Sequence, residues 1–138
     1  MTPSKLEHLC AERLAAAGIA FQRAPEGLRV PAACTEVGDL LVCFDNDEIT
    51  VDIEKITHCH FTPYGASPPY AAHSIEDCIR DATDFVGAVL RDEWMLWRYP
   101  NGAGGCYQIG TEGEGWSDEP LAGEGIEKFV WSGRSARA

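Results

Sequence analysis

Nowhere in this chain do about twenty apolar residues run together, the length a helix needs to cross a bilayer. The opening stretch, MTPSKLEHLC, lacks the basic and apolar regions of a secretion signal, which sets the expectation of a cytoplasmic protein. No C-x-x-C occurs among the six cysteines, at 10, 34, 43, 59, 78 and 106, and their spacings match no zinc module. Small buried thiols are therefore expected rather than disulfides. Phosphate-binding, dinucleotide-binding, zinc-protease and nucleophile-elbow motifs are all missing. GAGG at 102–105 is followed by neither Lys nor Ser/Thr and reads as a turn. DNDEITVDIEKI, from Asp45, has Thr50 where a calcium loop needs glycine and Ile56 where it needs glutamate. Cys34 or Cys106 with a histidine would be the raw material for covalent catalysis, but no local signature brings them together.

Base is also scarce where acid is dense. Residues 36–54 hold seven carboxylates (Glu36, Asp39, Asp45, Asp47, Glu48, Asp52, Glu54) and no Lys or Arg, and 112–127 hold six more, again without a base. The formal net charge is −11. Phosphate contacts need cations, so neither nucleic acid nor an anionic membrane is an expected partner. A basic protein partner fits the same field, and so does plain solubility.

What is present describes one α+β domain, 1–138. Of its residues, 45% are hydrophobic and 24% charged, enough for a core without covalent staples. Thr2 can cap a first helix with Pro3 at its first position. Leu6, Leu9, Cys10, Leu14 and Ala17 supply the apolar stripe, and Gly18 the stop. A short strand fits near Leu28–Val30. GDLLVCFDNDEITVDI alternates on both sides of Asn46-Asp47. Pairing Asp45 with Glu48 puts Leu40, Val42, Phe44, Ile49, Val51 and Ile53 on one face. The pattern then continues to Phe61, too far for one straight strand, so a bulge, a bend or a corner into a further strand is expected near 54–56.

After a proline-rich loop, Ser74 can cap a second helix whose apolar face runs from Ile75 to Leu90. EWMLWRYP and GCYQIG read as a second hairpin in which one face of the first strand is core and the other half-exposed. Residues 111–125 read as a flexible, acidic, glycine-rich loop and IEKFVWS as a last strand; 133–138 read as a frayed tail. The expected architecture is a mostly antiparallel sheet of five to six strands with both helices packed on it.

Three functional readings compete. The first is a non-enzymatic acidic binding protein with contacts at Asp45, Asp47, Glu48, Asp52, Trp116, Asp118 and Glu119. Trp116 lies in a loop with no apolar period to bury it; it can meet a partner or fold back over the sheet edge. The second is a metal-binding protein or metal-dependent enzyme, with zinc as the candidate ion. His58 and His60 in ITHCHF point the same way on a strand, while Cys59 and Phe61 point the other way. A third ligand would come from Asp52 or His73, though no closed four-ligand spacing exists. Histidines beside carboxylates on a solvent-facing strand are also ordinary surface groups. The third reading is a small acidic secretion chaperone, likened by topology alone, which would be a dimer.

EITVDI running into ITHCHF, then SIEDCIRDATDFV and FVWSG, resembles small uncharacterised bacterial proteins, some of them similar to immunity proteins encoded beside polymorphic toxins. The resemblance implies an acidic α+β domain that plugs the active site of a basic toxin such as a nuclease. It carries no site residues with it.

Overall fold

The computed structural model describes residues 1–64 and 74–134. His73 and the last four residues of the expected tail lie outside them. The chain order is α1 (Pro3–Ala16), β1 (Gln22–Ala24), β2 (Gly27–Val30), β3 (Leu40–Asp45), β4 (Glu48–Ile53), β5 (Thr57–Phe61), α2 (Ile75–Leu90), β6 (Trp94–Arg98), β7 (Gly104–Gln108), β8 (Glu127–Val130) and β9 (Gly133–Arg134). The class is α+β, as expected, and among the described residues every strand pairing is antiparallel.

α1 starts where the sequence places it: Thr2 accepts a hydrogen bond from the Lys5 N–H at 3.2 Å, satisfying one of the helix's orphan donors. Its buried residues are Leu6, Cys10, Ala11 and Leu14. Ala17, expected in the stripe, is the C-cap and exposed, and Ala11 takes its place. Ser74 caps α2 in the same manner by accepting from the Asp77 N–H.

The first five strands form one sheet in the order β1-β2-β3-β4-β5. The β3–β4 register is the one the alternation demands, with Asp45 opposite Glu48, Val42 opposite Val51 and Leu40 opposite Ile53. Leu40, Val42, Ile49, Val51 and Ile53 are buried. Asn46 takes φ +42°, the left-handed value that a tight hairpin turn needs. At 54–56 the chain turns fully and returns as β5, pairing Ile53 with Thr57, Asp52 with His58 and Thr50 with His60. β1 was not expected; it pairs with β2 across a tight turn that only Gly27 permits. Gly27 sits at φ +148°, and a Cβ there would overlap the Val42 carbonyl oxygen.

The strands after α2 make their own sheet, in the order β7-β6-β8-β9, rather than extending the first. Gly133 and Arg134, expected in the tail, pair with β8. The two sheets abut where β5 meets β7. Gly104 makes the approach possible, because a Cβ there would overlap the carbonyl oxygens of Ile56 and Trp97. One core serves both sheets: α1 and α2 pack on the inner face of the first, and Trp94, Leu96, Cys106, Phe129 and Trp131 of the second-sheet region join the same cluster.

The outer faces differ. β6 is buried on both sides, against the expectation of one half-exposed face. Met95, Trp97 and Tyr107 form a second small cluster with Tyr99 and Ile126. Loop 111–125 lies against this cluster. The Trp97 indole N–H donates to the Asp118 carbonyl at 2.7 Å, and the Leu121 N–H to the Tyr99 hydroxyl at 2.8 Å. Of the two expectations for this loop, meeting a partner or folding back over the sheet edge, these bonds are those of a loop folded back over the sheet. Among the described residues no helix is long and apolar enough to cross a membrane.

Candidate binding face

Both helices take one side of the five-stranded sheet, which leaves the other side to solvent among the described elements. Antiparallel partners directly opposite share a face, so the register arranges the outward side chains in rows. One row runs Arg29, Leu41, Asp52, His58; the next runs Gly27, Cys43, Thr50, His60; Asp45 and Glu48 close the end of the hairpin. The full turn at 54–56 is what gathers Asp52, His58 and His60. A mere bulge would have moved Asp52 to the opposite side.

His60 is tied down. Its Nδ1 lies 2.7 Å from Glu48 Oε1 and 3.2 Å from the Thr50 hydroxyl. His58 meets His60 edge to face, with ring centroids 4.9 Å apart at 83°. Among the described residues no three His, Cys, Asp or Glu side chains are placed to hold a metal ion; His73, the other expected ligand, lies outside them. Glu48, directly within reach across the strands, engages the His60 nitrogen. This contact is half-exposed and contributes little to stability, on the order of 0–1 kcal/mol.

The seven acids and aromatics expected to meet a partner fall into two groups. Asp45, Glu48 and Asp52 lie on the open face, with Asp45 exposed and the other two half-buried. Asp47, in the turn, is engaged by the Met1 amine at 3.4 Å and by the Tyr64 hydroxyl at 3.2 Å. Trp116, Asp118 and Glu119 belong to the loop over the second sheet. Trp116 is 37% exposed. Glu119 accepts from the Gly113 N–H at 2.8 Å, an internal bond of the loop. The carboxylate of Asp118 leans over Gly105. The one cation in the rows, Arg29, is held at their β2 side by Asp39 at 2.8 Å and Glu26 at 3.8 Å. The Arg29 bond, the Ala32 N–H and the charge of the guanidinium together hold the Asp39 carboxyl below its ordinary range. The middle and far side of the face, across β4 and β5, is left to carboxylates and imidazoles.

Asp52 stands out electrostatically. Burial pushes its carboxyl above the usual range, opposed by His58 and reinforced by Glu54. A carboxylate whose folded pKa is raised is penalised when charged, so it costs stability above that pKa and nothing below the unfolded value of about 3.9. Asp52→Asn is therefore expected to raise the melting temperature slightly at pH 7. The advantage should shrink as the pH falls through the folded pKa and vanish below about 3.9. Thermal melts of both proteins between pH 3 and 8 check this; a variant less stable at pH 7 contradicts it.

The sequence had the membership of this face but not its wiring. Glu48 and His60 were read into different roles, and only the β4–β5 register connects them. No family model, curated protein or solved structure matches the chain.

Proposed function

We propose that the chain is a non-enzymatic, cytoplasmic binding protein that offers the open face of β3, β4 and β5 to a basic protein, as an immunity-type inhibitor does to a toxin nuclease. The observation that carries this reading is the asymmetry of the first sheet: helices occupy one side, while the other presents Asp45, Glu48 and Asp52 in register without a covering element among the described residues. A flat array of strands holds its side chains at fixed spacing, so a partner's Lys and Arg meet a preformed pattern. The charge of −11 adds long-range steering, which speeds encounter with a cationic surface and is screened by salt. The same field disfavours nucleic acid and anionic lipid.

The test is capture from extracts of the source cells on the immobilised chain, elution by a salt gradient, and titration of the purified eluate by calorimetry. A basic protein binding at a fixed stoichiometry, with an association rate that falls about tenfold or more between 50 mM and 500 mM salt, is the expected result. Binding that does not respond to salt, or turnover of a small compound by the purified chain, overturns the reading.

A further inference from the structure

Cys59 on β5 and Cys106 on β7 come from opposite sides of the joint between the two sheets, yet their sulfurs lie 3.8 Å apart. Neither residue is there by accident of a loose surface. Cys59 faces inward opposite Val51, and Cys106 faces inward opposite Leu96. The two glycines just before Cys106 set the approach. Gly104 lets β7 close on the Ile56 carbonyl, and Gly105 makes room for the Trp97 indole and the Asp118 carboxylate. The sequence separates the two thiols by 47 positions, so no short motif announces them.

We propose that Cys59 and Cys106 form a reversible dithiol–disulfide site, oxidised by hydroperoxides, that covalently joins the first sheet to the second. A disulfide needs its sulfurs at about 2.05 Å, which leaves roughly 1.8 Å for rotation of the two side chains about their Cα–Cβ bonds to close. The chemistry balances in two steps. The Cys59 thiolate attacks the peroxide oxygen, the O–O bond breaks, and the departing alkoxide or hydroxide takes a proton to leave as alcohol or water; Cys59 is left as a sulfenic acid. The Cys106 sulfur then attacks the Cys59 sulfur. The S–S bond forms, the S–O bond breaks, and the hydroxide leaves with the Cys106 proton as water. Two thiols are oxidised by two electrons and one peroxide is reduced by two.

The order of roles follows from the environment. Cys59 is the more exposed of the two, half-buried where Cys106 is buried. The hydrogen bond shared with Cys106 draws the Cys59 thiol down against the opposing effects of burial and Asp118, while Cys106 is pushed up by that same bond and by burial. The other inward thiols are inert by comparison: burial pushes Cys10 up to about 12 and Cys78 up to about 11. Cys59 is thus the attacking group and Cys106 the resolving one.

The site predicts a specific product. The full chain, treated with a small excess of hydrogen peroxide, alkylated and digested without reductant, is expected to yield a peptide pair joined through Cys59 and Cys106, lighter by two hydrogens than the reduced pair. Its melting temperature should rise by about 10 °C and return on addition of dithiothreitol. Cys106→Ser should leave a sulfenic acid on Cys59 that a dione reagent traps, and Cys59→Ser should leave Cys106 reduced. Oxidation appearing first at the half-exposed Cys34 or Cys43 while Cys59 and Cys106 stay reduced overturns the proposal. So does a cross-link that pairs either thiol with a different cysteine. The product on the unmutated chain decides the matter even if a serine variant folds poorly.

Discussion

Phe85→Ala is expected to cost about 3–5 kcal/mol, the largest single-residue loss of stability in the molecule. Phe85 is fully buried at the centre of α2. Its ring meets Phe61 of the first sheet with centroids 5.7 Å apart, and Trp94 of the second sheet edge to face at 4.8 Å and 79°. One aromatic side chain thereby joins the helix to both sheets, which also meet along β5 and β7. Removing it deletes the transfer free energy of the ring, leaves a cavity that rigid strands on two sides cannot collapse into, and forfeits two oriented aromatic contacts of about 0.5–1.5 kcal/mol each. A domain of this size is stable by only about 5–15 kcal/mol, so the variant should unfold at a much lower urea concentration with an unchanged m-value. Phe85→Leu, which refills most of the volume, should cost less than half as much. A loss under about 1 kcal/mol for the alanine variant would mean that the two sheets are held together elsewhere.

The core and the first hairpin were legible from sequence because each rests on a local rule. Period-two alternation around Asn46-Asp47 admits one register, since sliding it by a residue would bury Asp45, Glu48 and Asp52. The caps at Thr2 and Ser74 follow from single side chains that can accept from a helix N–H. What sequence left open or missed has a different cause. The corner into a further strand at 54–56 was one of three expected outcomes, and which of them holds is decided by the available partner strand, β5 itself. That β6 begins a new sheet depends on how α2 returns the chain, which no periodicity encodes. Both faces of β6 are buried because Asp118 and Leu121, more than twenty positions downstream of their partners Trp97 and Tyr99, supply hydrogen bonds that hold a polar loop over it. The open face behaves likewise: its acids could be named from composition, but that His60 engages Glu48, and that Arg29 is neutralised at the β2 side, required the cross-strand rows.

Reversing three charges on that face, with Asp45→Lys, Glu48→Lys and Asp52→Lys together, is expected to weaken binding of the proposed basic partner by about a hundredfold or more. Truncating one member of a desolvated charge pair across an interface costs about 2–5 kcal/mol, and tenfold in affinity is about 1.4 kcal/mol. Reversal does more than truncate, because each lysine repels the cation it replaces an acid for. Net charge alone must be separated from position. Each reversal adds two positive charges, so the triple variant moves the formal charge of −11 upward by six. Glu12→Lys, Glu76→Lys and Asp84→Lys shift it by the same amount at exposed sites on α1 and α2. If recognition belongs to the strand face, the helix-side triple should slow association by less than about tenfold and leave dissociation nearly unchanged, since remote charges act through steering. Equal losses from both triples would reduce the role of the face to one share of a diffuse field, and no loss from either would remove charge from recognition altogether. All six positions lie outside the buried core, so circular dichroism and melting of each variant should stay close to those of the parent, and a change in binding then reports on the surface it was made to probe.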